Sequence, residues 1–527
     1  MTDYLRQLSA AARQAISRKE WAKVDACSHE ILKIDDASAE GNFLSGMSKM
    51  ASADLAAAER LFSRVLELDD RRYDAAMELA RLHSTAKRND AAATLLARYE
   101  SAMQGSPHYL NLAGSIYSQI GMPEKAWPLL QRANELQPGV NAIESNLATA
   151  AVFLGKIEEA KSLFGKLLQR NPNHQRNQLS YARLEKATNR EHIEHMQEIL
   201  RVANQPPDRN VFMYYAIGKE LEDLEEWEEA FKYFKMAGDA VCSVAEYDIN
   251  TDLALIDKVM EVCHADWLSD GASNKEVVTR EKTPIFIVGL PRTGTTLTDR
   301  IISSHSKVMS VGETQFMQMV LRRESGIESE EKMTPAMIDV TSKMDINIIG
   351  NGYMDMLEYR LGDEAMFVDK LPFNILYLGY IAKAFPNARL LRVKRNPMDS
   401  CFAMYKQVFT GAYKFSYSLE ELGQFYVKFD QLLKHWQETL GDRFIEVEYE
   451  SLVADQENQT RQLLDKLGLD FEEACLHFDK SKSATATASS IQVREKIHSR
   501  SVNRWKNYEQ QLQPLYEHLL NAGISVE

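Results

Sequence analysis

"PIFIVGLPRTGTTLTDRIISSH", Pro284 to His305, decides how the second half of this chain folds. Pro284 to Val288 form a short apolar run closed by a glycine, the pattern of a buried parallel strand. Gly289 to Thr296 read as a turn, and Leu297 to His305 as the helix that the turn opens. A phosphate cradle needs this setting. Glycines at 289 and 294 let the backbone approach an anion, and the helix start offers unpaired N–H groups at the positive end of its dipole. A Walker A loop reads G-x-x-x-x-G-K-[ST], and its Lys reaches the terminal phosphates of a nucleotide. Thr295 stands in place of that Lys. The hydroxyls of Thr293, Thr295 and Thr296 and the cation of Arg292 remain to meet an anion.

Downstream the same grammar continues, with short apolar runs, polar turns and helical stretches, as expected of an α/β domain. In "NARLLRVKRNPMDSCFAMYKQVF" a second strand, "RLLRV", runs into Lys394 and Arg395; Asn396 then caps a helix whose first position is Pro397. An Arg at a strand's carboxyl end beside a capped helix makes a second anion site. Two such sites fit a nucleotide that carries phosphate at two separate positions.

Upstream of about residue 240 the chain repeats itself every 34 residues. Ala58, Ala92, Ala126 and Ala160 share that step, as do Gly46, Ala80, Gly114 and Ala148, and Leu61, Leu95, Leu129 and Leu163. Small residues let the two antiparallel helices of one repeat approach closely, and the Leu positions fill the gap to the next. With A-x-x-x-F at Ala58/Phe62, Ala160/Phe164 and Ala230/Phe234, and with Pro138 and Pro172 closing repeats, the stretch resembles tetratricopeptide repeats. Trp21 and Val24 suit a weaker first repeat, Gly218 and Ala230 a late one, and residues 173–205 fit poorly; five or six repeats are expected. A solenoid of this kind binds peptides or another domain and carries no chemistry of its own.

Composition is consistent with this division. A chain of 527 residues exceeds the roughly 250–300 that one core supports. A formal net charge of -14 argues against general nucleic-acid binding. Five scattered cysteines without C-x-x-C spacing suit neither a disulfide framework nor a zinc site. The amino end has no apolar signal core, and no run of about 18 apolar residues follows. A cytoplasmic chain with no membrane segment is expected.

"PRTGTT", "KRNPMDSCFAMY", "VEYESLV" and "SSIQVREKIHSRSVNRW" together resemble the sulfotransferase family, most of all its tyrosylprotein branch. The resemblance implies an N-terminal all-α tetratricopeptide solenoid over residues 1–270, followed by an α/β, P-loop-like parallel-sheet sulfotransferase domain over 274–527. It also implies 3'-phosphoadenosine 5'-phosphosulfate (PAPS) as co-substrate, 3',5'-bisphosphoadenosine as product and no metal. Arg292, Thr293, Gly294, Thr295 and Thr296 would hold the 5'-phosphosulfate and Arg395 the 3'-phosphate. Tyr449, Ser489 and Arg504 match further nucleotide contacts. Glu313 matches the general base, and Lys370 the cation at the bridging oxygen, where Arg292 and Ser489 assist. The family's usual Ser eight residues after the 3'-phosphate Arg is Ala403 here, so one donor is missing unless Ser400 or another group compensates.

Asp369 reads as structural, a salt-bridge partner for Lys370. His305 and His498 are the alternative bases. The acceptor hydroxyl is left open between a protein tyrosine, a glycan, a lipid-linked sugar and a phenol, with the repeats recruiting or orienting it or packing on the catalytic domain. A P-loop kinase or NTPase, or a non-catalytic repeat scaffold, are the other readings.

Overall fold

The computed structural model describes residues 2–270, 281–480 and 490–526. By packing the chain divides into two compact units, Met1–Ala151 and Val152–Glu527. Among the described residues fourteen α-helices follow one another from Thr2 to Cys242. Their turns are tight because the small residues are needed where they stand. A Cβ on Gly46 would lie 2.7 Å from the Phe62 ring, one on Gly114 2.5 Å from Leu130, and one on Gly218 2.6 Å from Phe234. In each pair the bulky residue lies sixteen positions on, in the return helix. Ala58, Ala80, Ala92, Ala126, Ala148 and Ala160 are fully buried for the same reason. The poorly fitting stretch holds a short helix, Gln175–Ala182, and then Glu191–Ala203, both packed on the helix Val211–Asp223.

The second unit contains a five-stranded parallel sheet of β1 (Thr283–Val288), β2 (Val308–Gly312), β3 (Met366–Asp369), β4 (Arg389–Lys394) and β5 (Phe444–Glu448), in the order β2-β3-β1-β4-β5. Alternation along β1 sends Phe286 and Val288 into one apolar core and Ile285 and Ile287 into another. The first core is shared with the helices ahead of the sheet, through Met213, Ile217 and Phe234. Phe231 stacks on Tyr405 at 6.0 Å, Trp227 meets Tyr508 edge-on at 5.7 Å, and the Tyr215 hydroxyl donates to the Tyr405 carbonyl at 3.2 Å. Secondary structure changes from helical to α/β near residue 270, whereas packing joins everything from Val152 onward to the sheet.

Among the described residues no helix is long and apolar enough to cross a membrane, and no His, Cys, Asp and Glu side chains gather as a metal site would require.

Candidate active site

All five strands run the same way, so their carboxyl ends share one edge of the sheet. The residue following each is Gly289 after β1, Glu313 after β2, Lys370 after β3, Arg395 after β4 and Tyr449 after β5. The chain leaves β1 for β2 on one side of it and later returns to β4 on the other. Ligands of open α/β sheets bind at such a reversal.

The loop after β1 is held in a shape few sequences permit. Gly289 has φ +152°, its N–H donates to the Pro372 carbonyl at 3.2 Å, and a Cβ there would lie 2.9 Å from the Val393 carbonyl oxygen. Arg292 takes φ +68°. Gly294 caps the helix Thr295–Ser303, which begins two residues earlier than expected. Its φ is +106°, and an added Cβ would stand 2.5 Å from the Tyr449 ring. Gly294→Ala is therefore expected to displace either the loop or Tyr449 and to weaken anion binding by at least tenfold, as read by titration with 3',5'-bisphosphoadenosine; unchanged affinity would contradict this geometry. Thr293 directs its hydroxyl to the Leu290 carbonyl at 2.7 Å, so it braces the loop rather than presenting that proton to an anion. Thr295 and Thr296, both buried, open the helix.

Arg395 lies beside this loop. Its Nη1 donates to the Arg292 carbonyl at 2.7 Å and its Nη2 to the Ser501 carbonyl at 2.5 Å, and the guanidinium stands 4.8 Å from the Tyr449 ring centroid. The side chain is buried, and among the described residues its Nε has no partner. Arg395 is thus anchored by carbonyls and, among the described residues, paired with no carboxylate. Asn396 caps the next helix, Pro397–Tyr405, accepting from the N–H groups of Met398 and Asp399. Ser400 offers no compensation for Ala403, because its hydroxyl donates to the Asn396 carbonyl at 2.9 Å.

Glu313 and Lys370 form an ion pair, with the ammonium donating to Oε1. The Lys370 side chain is 1% exposed and that of Glu313 37%, so the acid faces outward from a fixed cation. The Lys370 N–H donates to the Gly312 carbonyl at 2.9 Å, which keeps the two strand ends in register. Asp369 is not the partner of Lys370, contrary to the expectation from their adjacency, because neighbouring residues at a strand end point to opposite faces. Its Oδ2 accepts from the hydroxyls of Thr314 and, at 2.8 Å, Tyr353, while Oδ1 has no partner among the described residues.

Burial pushes Asp369 up to about 6, above the ordinary value of roughly 3.9. The protonated acid therefore contributes stability that is complete below about pH 3.9 and lost as pH rises through about 6. Asp369→Asn is expected to gain on the order of 2 kcal/mol relative to wild type between pH 4 and 7, as read from urea midpoints. A pH-independent difference would count against it.

The other residues singled out in the sequence are scattered. Ser489 lies outside the described residues. Arg504 is given a protein carboxylate where the resemblance implied the nucleotide: its Nε is 3.4 Å from Glu222, with the guanidinium 4.7 Å from the Trp227 ring centroid. His305 is buried, with Nε2 3.0 Å from the Asp470 carbonyl and Nδ1 accepting from the Lys307 N–H, so it fastens a turn. His498 pairs with Glu495 at 3.4 Å. Three groups that sequence reasoning does not reach join the edge. Asp299, on the loop helix, accepts from Ser310 at 3.1 Å and is pushed up to about 6 by burial against the pull of Lys370. Glu222 and Arg183 reach the same region from helices ahead of the sheet.

Residues 284–473 match the model of the sulfotransferase family, and residues 49–116 and 145–174 match tetratricopeptide repeat models. The chain is similar to an uncharacterized protein of Aquifex aeolicus (strain VF5), 28% identical over 79% of this chain and 55% of that one. It is also similar to protein-tyrosine sulfotransferase 1 of Danio rerio, 24% identical over 44% of this chain and 67% of that one. Among solved structures it resembles the sulfotransferase domain of the curacin biosynthetic pathway, with a TM-score of 0.35 and 16% identity over 47% of this chain and 99% of that one. The chain thus spans just over half the length of the Aquifex relative. Residues 284–473 are thus similar to the sulfotransferase family, and the stretches 49–116 and 145–174 ahead of them to tetratricopeptide repeats.

Proposed function

We propose that the protein transfers the sulfuryl group of PAPS to an acceptor hydroxyl. The observation that carries this reading is the Glu313–Lys370 pair across two neighbouring strand ends, beside a phosphate-type loop that has Thr295 where a nucleotide triphosphatase has Lys. The loop from Arg292 to Thr296 holds the 5'-phosphosulfate by its N–H groups and the Arg292 cation, and Arg395 takes the remote 3'-phosphate. Glu313 accepts the proton of the acceptor hydroxyl. The acceptor oxygen bonds to sulfur as the bond from sulfur to the 5'-phosphate oxygen breaks, and Lys370 and Arg292 offset the charge that builds on that leaving oxygen. Positioning and charge do the work, and the bisphosphate departs.

The protein-tyrosine sulfotransferase relatives support a protein tyrosine as acceptor, with the repeats recruiting or orienting it. All five cysteines are free thiols, which suits the reducing cytoplasm. Calorimetric titration with 3',5'-bisphosphoadenosine in EDTA, against ATP with magnesium, tests the donor class. Binding of the bisphosphate alone is expected; binding of ATP with magnesium alone would overturn the reading in favour of a kinase or NTPase.

A further inference from the structure

The catalytic loops leave one stretch of the anion site poorly furnished. Ala403 presents a methyl group, Ser400 is turned onto its own helix, and Gln407, one turn past Ala403, is a neutral amide that is almost fully buried. The cation that meets this stretch comes from elsewhere in the chain. Arg183 follows the short helix Gln175–Ala182, its N–H tied back to the Leu179 carbonyl at 3.2 Å, and its Nη2 donates to Gln407 Oε1 at 3.2 Å.

Carboxylates just after Arg183 and on a following helix are engaged by other cations. Glu222 serves Lys406, Arg504 and the Tyr508 hydroxyl, Glu185 serves Lys161, and Asp223 serves Lys219. Among the described residues Arg183 has an amide for a partner and no carboxylate. Burial pushes Arg183 down to about 10; burial, with the charges of Arg183 and Arg395, pushes Arg292 down to about 10 as well. Arg292 thus stands within the field of two other guanidiniums, those of Arg183 and Arg395. A protein interior maintains such a cluster at a cost in free energy, and a bound polyanion removes it.

We propose that Arg183, contributed by the helices ahead of the sheet, is a third cation of the donor site and binds the phosphates of a nucleotide bisphosphate. The proposal rests on the PAPS reading and deepens it: the donor site is composite, and the helical segment from Val152 onward is part of it. The short helix then has a purpose, since ending it at Ala182 places Arg183 at Gln407.

The test is calorimetric titration of full-length wild type, Arg183→Ala, Arg183→Gln and Arg395→Ala with 3',5'-bisphosphoadenosine in EDTA, with thermal melts of each in the presence and absence of ligand. Loss of a charge-assisted hydrogen bond is expected to raise Kd roughly tenfold or more in both Arg183 variants. Their ligand-free melting temperatures are expected to be unchanged or higher, because a repelling cation has been removed. Arg183→Gln, which keeps the reach to Gln407, covers the case in which Arg183→Ala does not fold. A wild-type Kd retained in the Arg183 variants while Arg395→Ala weakens binding would overturn this proposal and leave the donor reading standing. Failure of the wild type to bind the bisphosphate would overturn both.

Discussion

Lys370→Ala is expected to lower kcat for sulfuryl transfer by roughly 10²–10³, while the Kd for 3',5'-bisphosphoadenosine changes by less than about threefold. The side chain is 1% exposed and its only ionic partner among the described residues is Glu313. In the proposed mechanism it holds a charge ready beside the oxygen that leaves, where a preorganised cation acts in a water-poor site and needs no reorganisation. The bisphosphate lacks the sulfuryl group and the charge that develops during its transfer, so most of the Lys370 contribution is absent from the binding equilibrium. Glu313→Ala is expected to cut kcat by about 10²–10⁴ through loss of the base, again with bisphosphate binding retained. Turnover within a few-fold of wild type in either variant would remove that residue from the chemistry.

Glu222→Ala is expected to destabilise the Val152–Glu527 unit by about 3–5 kcal/mol, read as a fall in the urea midpoint. The carboxylate is buried and engages the Lys406 ammonium, the Arg504 guanidinium at 3.4 Å and the Tyr508 hydroxyl at 3.1 Å. Removing it leaves Lys406 charged, half-buried and without its carboxylate. The pair also joins the helical segment to the helix that follows Arg395, so donor affinity is expected to fall with stability. Burial acts to raise the Glu222 pKa, but Lys406 and Arg504 outweigh it and hold the group below the usual carboxylate range. Its contribution is therefore present above the unfolded value near ~4.3 and lost as pH falls through the lower folded value. Glu222→Gln is expected to reduce the acid sensitivity of unfolding in that window; an unaltered acid profile would contradict the assignment.

Much of the site is legible in the sequence because it is local. Pro284 to Val288 and Arg389 to Val393 are short apolar runs that end directly on Gly289 and near Arg395, so strand, turn and anion group follow from adjacent letters. β2 gives less warning: "VMSVG" (Val308–Gly312) is short, interrupted by Ser310 and only partly buried, and Glu313 is found through the resemblance rather than through the strand before it. Adjacency in sequence pairs Asp369 with Lys370, whereas the pleat sends them to different faces. Arg183 and Glu222 are not legible at all. They lie more than 180 residues from Gln407 and Lys406, Arg183 after a helix that fits the 34-residue pattern poorly and Glu222 on one whose pattern specifies packing and says nothing about which position meets another element. Thr293 and Ser400 show the converse limit: a hydroxyl in the right register can still be turned onto a carbonyl.

The most direct measurement is transfer of label from 35S-PAPS, in EDTA, to a panel of hydroxyl acceptors comprising tyrosine-containing peptides, simple phenols and glycans, with wild-type protein and Lys370→Ala side by side. Label is expected to appear in a hydroxyl acceptor with the wild type and to fall by at least roughly 10² in the variant. Equal labelling by both proteins, or no transfer above the protein-free control from a protein that binds the bisphosphate, would contradict sulfuryl transfer by this site.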